Sequence, residues 1–121
     1  MPKKKKILLV DDEKAILTFL KIKLRVSGYD IVTAAGGQEA LDLIDSASPD
    51  IMLLDIIMPG IDGFEVLKKM HTISPLPVIA FSAGPENAQK AMSLGAKDFI
   101  AKPFDVDLLV NKIKVLLDHH K

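Results

Sequence analysis

The sequence has no cysteine, which excludes disulfides, thiol nucleophiles and thiolate metal sites and is compatible with a reducing cytoplasm. It has no net charge either. Its 16 basic and 16 acidic side chains cancel, which argues against a partner recognised by bulk electrostatics, whether nucleic acid or an anionic membrane surface. The one basic block, Lys3 to Lys6, precedes the first apolar run and reads as a solvated lead-in. No apolar stretch approaches the length of a membrane span, and Ile7 to Val10 is too short for a signal-peptide core. The expectation is therefore a soluble, cytoplasmic protein. Histidine is sparse: His71, His119 and His120 lack both metal-site spacing and an adjacent nucleophile, and each reads as solvated. Repeats, linkers and low-complexity tracts are missing. The 121 residues suffice for one core and are too few for a second, giving a single domain over residues 1–121.

What the chain does contain is a regular alternation. Apolar runs at Ile7–Val10, Ile31–Ala34, Ile51–Leu54, Val78–Phe81 and Phe99–Ala101 are each followed by a segment of helical character. That alternation predicts an α/β fold with a parallel sheet covered on both faces. Ile16, Leu20 and Leu24 mark a first helix closed by Gly28; Ala40, Leu41 and Ile44 mark a second that ends before Pro49; Val66, Leu67 and Met70 mark a third. A fourth helix is predicted between Pro85 and Leu94, with Gly95 as its left-handed exit. The fifth carries Val106, Leu109, Val110, Ile113, Leu116 and Leu117 at helical spacing behind an Asp105 cap.

Against this pattern Asp55 stands out, because it ends the run Ile51-Met52-Leu53-Leu54, which reads as a strand buried on both faces. An unpaired carboxylate there would cost several kcal/mol, about the whole margin of a small domain, so it must be neutralised or used. Other apolar runs also end in polar groups: the first in Asp11-Asp12, the fourth in Ser82, the fifth in Lys102. Open parallel sheets gather such groups beyond the carboxyl ends of their strands, at the point where strand order reverses. If the order is 2-1-3-4-5, which spacing alone does not fix, strands one and three adjoin there and the acid pair faces Asp55.

Three carboxylates without histidine or cysteine suit a hard cation, and Mg²⁺ is the natural choice. Beside it Asp55, ionised, is a nucleophile competent to form an acyl phosphate. Lys102 and Ser82 supply an ammonium and a hydroxyl for phosphoryl oxygens. Taken singly, Asp11, Asp12 and Glu13 read as caps of the first helix, Lys102 as a surface lysine and Ser82 as a turn hydroxyl. Capping does not account for the acid pair or for Asp55.

Asp11-Asp12-Glu13, the segment from Pro49 through Asp55 to Gly63, Ser82-Ala83, Gly95-Ala96 and Lys102-Pro103-Phe104, in this order, resemble the receiver domain of two-component response regulators. The resemblance runs from Lys6 to about Leu117. It implies a flavodoxin-like doubly wound (βα)5 three-layer sandwich with a five-stranded parallel sheet in the order 2-1-3-4-5. It implies that Asp55 accepts a phosphoryl group from a histidine kinase or a histidine phosphotransfer protein, and that Asp12, Asp55 and the main-chain carbonyl of Ile57 ligate Mg²⁺ while Asp11 holds metal-bound water. Lys102 would pair with the phosphoryl group, Ser82 would move to hydrogen-bond it, and Phe99 would turn inward as the switch aromatic. The Lys102-Pro103 peptide would be cis.

Some positions depart from the family pattern. Phe99 replaces the commoner tyrosine and Ser82 the commoner threonine, and the segment from Ser82 to Gly95 is about two residues short. Apolar Ile57 shielding the acyl phosphate predicts slow self-dephosphorylation, while Gly84 is expected to leave room for water. The implied function is a phosphorylation-controlled switch of protein interactions, monomeric or dimerising on phosphorylation. With no sequence following the fifth helix, it is expected to dock on a separate downstream protein or to be a receiver cut from a longer chain. A relay intermediate passing the group to a histidine phosphotransfer protein is a close variant. A constitutive scaffold would not need the full residue set. An aspartyl phosphohydrolase commonly needs an acid two residues after its nucleophile, where Ile57 stands.

Overall fold

The computed structural model describes residues 3–119. Five strands, β1 (Lys6–Val10), β2 (Asp30–Ala34), β3 (Ile51–Asp55), β4 (Val78–Ser82) and β5 (Asp98–Ala101), alternate with α1 (Lys14–Val26), α2 (Gly37–Ala47), α3 (Gly63–Met70), α4 (Ala88–Ser93) and α5 (Val106–His119). All strand pairs are parallel, in the order β2-β1-β3-β4-β5. The doubly wound reading from the sequence holds, and β1 and β3 adjoin at the switch point. His120 lies outside the described residues, as does the His119 side chain.

Successive strand residues divide between two cores. Leu8, Val10, Met52, Leu54, Val78 and Ala80 pack with residues of α2, α3 and α4. Ile7, Leu9, Ile51, Leu53, Ile79 and Phe81 pack with Leu20 and Leu24 of α1 and Leu109 and Ile113 of α5. Because both sheet faces are covered, the strands read as unbroken apolar runs, and each fully buried Leu or Ile contributes about 2 kcal/mol. Among the described residues, no helix is long and apolar enough to cross a membrane.

Helix ends follow the sequence signals. At Gly28 (φ 102°) the Tyr29 amide donates to the Leu24 carbonyl and the Gly28 amide to Arg25, closing α1. Gly95 (φ 112°) closes α4 likewise, with Ala96 donating to Ala91 and Gly95 to Met92. Asp105 accepts from the Asp107 amide at 2.8 Å. The fourth helix lies within its predicted bounds but is built in two parts: Pro85–Asn87 form a 3-10 turn and Ala88–Ser93 are α-helical. Pro85 sits where a helix start needs no donor, and the Asn87 amide bonds to the Gly84 carbonyl three residues back, which tightens the turn.

Lys6 explains part of the basic block. Its amide donates to Asp50 and its ammonium to the Ala47 carbonyl, both at 2.7 Å, while Lys3 to Lys5 are exposed.

Candidate functional site

The carboxyl ends of β1, β3, β4 and β5 bring the polar groups to one edge of the sheet. Asp55 and Ser82 are the last residues of their strands, within the ladder, with Asp55 opposite Phe81 and Ser82 opposite Ala101. Asp11 directly follows β1 and its amide donates to the Ala34 carbonyl of β2. Asp11, Asp55 and Ser82 are the buried polar residues of the described chain.

The loop after β3 is held by a close approach. The Gly63 amide donates to the Ile56 carbonyl at 2.8 Å. A Cβ on Gly63 would lie 2.6 Å from both the Asp55 carbonyl oxygen and the Ile56 Cα, so α3 starts against the backbone of the phosphoacceptor candidate only because residue 63 is glycine. Asp62 caps α3 by accepting from the Glu65 amide at 3.0 Å.

Carboxylate oxygens of Asp11, Asp12 and Asp55 all lie within 4.8 Å of one another, two of the residues buried and Asp12 exposed. Lys102 Nζ reaches Asp11 at 3.1 Å, Asp55 at 3.6 Å and Glu13 at 3.9 Å. It also stands 5.0 Å from the centre of the Phe81 ring, whose edge-on partner is Phe104. One ammonium against this acid group leaves negative charge in excess. Burial first, and the Asp11 carboxylate second, push the Asp55 carboxyl up to about 7, against the opposing pull of Lys102 and the Ile57 amide. A set of hard oxygen donors with uncompensated charge and no nitrogen or sulfur ligand fits a Mg²⁺-like cation.

Asp11 also serves the local backbone: its Oδ1 accepts from the Glu13 amide at 2.9 Å, whereas the Glu13 side chain makes no cap to α1. The Ile57 amide donates to Asp55 Oδ1 at 3.4 Å, and its side chain is 60 % exposed. Lys102 and Ser82 are tied through the main chain, Lys102 N to Ser82 O at 2.8 Å, and the Lys102-Pro103 peptide is cis. Phe99 on edge strand β5 is half-buried and packs with the α2, α3 and α4 core. His71 is exposed, away from the acid group.

Two features lie beyond the sequence reading. Glu13 joins the ion-pair set of Lys102 rather than only preceding a helix. Asn87 Nδ2 donates to Ser82 Oγ at 3.0 Å, a contact created by the 3-10 turn and invisible to a periodicity analysis. One expectation is corrected: the space beside Gly84 is not left to water. A Cβ there would lie 2.5 Å from Glu86 Oε1 and 3.2 Å from Asn87 Nδ2, so these side chains occupy it.

The sequence matches the response regulator receiver domain over residues 7–114. The structure resembles the receiver domain of Francisella response regulator 1452, at 35 % identity and a TM-score of 0.91, covering 97 % of this chain and 99 % of that one. It also resembles a CheY-like receiver domain protein of Methanospirillum hungatei, with 36 % identity, a TM-score of 0.91 and coverage of 97 % and 96 %. The Vibrio cholerae chemotaxis protein CheY4 is 30 % identical, with a TM-score of 0.86 over 93 % of this chain and 98 % of its own. Given this match, the chain belongs to the response regulator receiver domain family of two-component signalling.

Proposed function

We propose that Asp55 accepts a phosphoryl group from a phosphohistidine of a sensor kinase or phosphotransfer protein, and that the acyl phosphate switches the binding of a downstream protein in the cytoplasm. The observation that carries this is Lys102 Nζ lying 3.1 Å from Asp11 and 3.6 Å from Asp55 at the sheet switch point, where three carboxylates converge. In the reaction an Asp55 carboxylate oxygen attacks phosphorus, an oxygen–phosphorus bond forms, and the bond from phosphorus to the donor imidazole nitrogen breaks. The imidazole leaves with the electron pair.

Asp12, Asp55 and the Ile57 carbonyl would hold Mg²⁺, with Asp11 ordering its water. The ion supplies positive charge for the acids and for the phosphoryl oxygens. Lys102 favours the ionised form of Asp55 against the burial that opposes it, and pairs with a phosphoryl oxygen. Ser82 donates its hydroxyl hydrogen to another, and that movement lets Phe99, half-buried against the core beside α4, turn inward and alter the face formed by α4, β5 and α5.

Incubation with acetyl phosphate and Mg²⁺, followed by intact-mass measurement, tests the acceptor role. Wild type gains one phosphoryl group and Asp55→Asn gains none. A wild-type chain that stays unmodified refutes it.

A further inference from the structure

We propose that Asn87 is the positioning residue that latches Ser82 in the resting state. Its carboxamide holds the hydroxyl toward the start of α4, and the phosphoryl group on Asp55 must draw it away. This inference rests on the phosphoacceptor reading and adds to it a residue outside the motifs that define the site.

Ser82 Oγ is fully buried and accepts two hydrogen bonds, from the Gly84 amide at 3.1 Å and from Asn87 Nδ2 at 3.0 Å. A hydroxyl has two acceptor lone pairs, so both are filled. Neither bond comes from Lys102 or reaches Asp55. In the resting geometry the hydroxyl is therefore tied to the connection between β4 and α4 rather than to the acidic centre.

That connection is shaped to make the contact. Gly84 lacks the Cβ that would meet Glu86 and Asn87, and the tight turn from Pro85 brings the fifth residue after Ser82 back over it. Asn87 ends the 3-10 turn that runs directly into α4, and its side chain makes no bond to the backbone of that helix. Its side-chain amide is committed to Ser82 instead. Withdrawal of the hydroxyl frees the carboxamide at the first turn of α4, so movement at the phosphoryl group is delivered directly to that helix. Both residues bias the same two-position element, which gives the coupling a physical route.

The test is a double-mutant cycle on the rate of phosphorylation by acetyl phosphate with Mg²⁺, using wild type, Asn87→Ala, Ser82→Ala and the double variant, each checked for an unchanged thermal unfolding profile. Releasing the latch raises the population of the reactive conformer, so Asn87→Ala accelerates phosphorylation roughly three- to tenfold, the effect of one hydrogen bond. In the Ser82→Ala background the same substitution changes nothing. If Asn87→Ala unfolds, Asn87→Ser takes its place, because its hydroxyl is too short to reach Ser82. An unchanged or slower rate, or an equal acceleration without the Ser82 hydroxyl, overturns the latch while leaving Asp55 as acceptor. A wild-type chain that takes no phosphoryl group overturns the acceptor reading and the latch with it.

Discussion

Lys102 Nζ and Asp11 Oδ2 meet at 3.1 Å across a separation of 91 residues, joining the ends of β1 and β5 on either side of Asp55. The Lys102 side chain is 18 % exposed and the Asp11 side chain fully buried, so removing the lysine leaves a buried carboxylate without its counter-charge.

Lys102→Ala leaves Asp11 and Asp55 without their ammonium. Partial exposure of the lysine discounts the full penalty of a buried pair, and the variant is expected to lose about 1–3 kcal/mol near pH 8. Urea unfolding in chelator measures it, and lowering the pH recovers part of the loss by protonating Asp55.

Asp55 gives the metal-free protein a definite pH dependence. Its folded pKa of about 7 lies above the ordinary 3.8. The folded state therefore holds this proton more tightly than the unfolded chain. Its contribution is fully present below about pH 4 and is lost as pH rises through about 7. Stability is expected to fall by about 2 kcal/mol between about pH 5 and about pH 8, after discounting for solvent screening. Asp55→Asn is expected to remove that part of the slope and to be the more stable protein at the upper end. Denaturant unfolding of both proteins across this range checks it.

Magnesium is expected to oppose the same repulsion and so to stabilise most where Asp55 is ionised. At a concentration near ten times its dissociation constant it is expected to add about 1.4 kcal/mol. Asp12 is exposed and can be removed without opening the core. Asp12→Ala is expected to fold normally and to lose most of the Mg²⁺-induced rise in Tm, measured by calorimetry with and without the ion.

Gly63→Ala places a Cβ against the Asp55 carbonyl and the Ile56 Cα. Backbone must shift, at a cost of about 1–3 kcal/mol. Phosphorylation is expected to slow as well, because the displaced segment carries Asp55. Paired unfolding and phosphorylation-rate measurements separate the two effects.

Much of this arrangement was legible in the sequence because burial writes itself as apolar periodicity. The strands were placed to within a residue, and Gly28 and Gly95 marked helix ends that the structure closes with the same pair of backbone bonds. Asp55 was conspicuous because a carboxylate interrupts a doubly buried run. The bond from Asn87 to Ser82 was not legible, since it depends on a turn geometry that no hydrophobic pattern encodes. Gly63 was seen only as part of a motif; its steric role needed the approach of α3 to β3. The ion pair between Lys102 and Glu13 was likewise hidden, because it depends on how the loop after β5 carries a side chain back over the end of β1.

The most direct test of the account is to locate the phosphoryl group. After reaction with acetyl phosphate and Mg²⁺, borohydride converts an acyl phosphate to an alcohol, and peptide mass mapping identifies the residue reduced. Homoserine is expected at position 55 and nowhere else. Reduction at Asp11 or Asp12, or at no residue despite bound Mg²⁺, would contradict it.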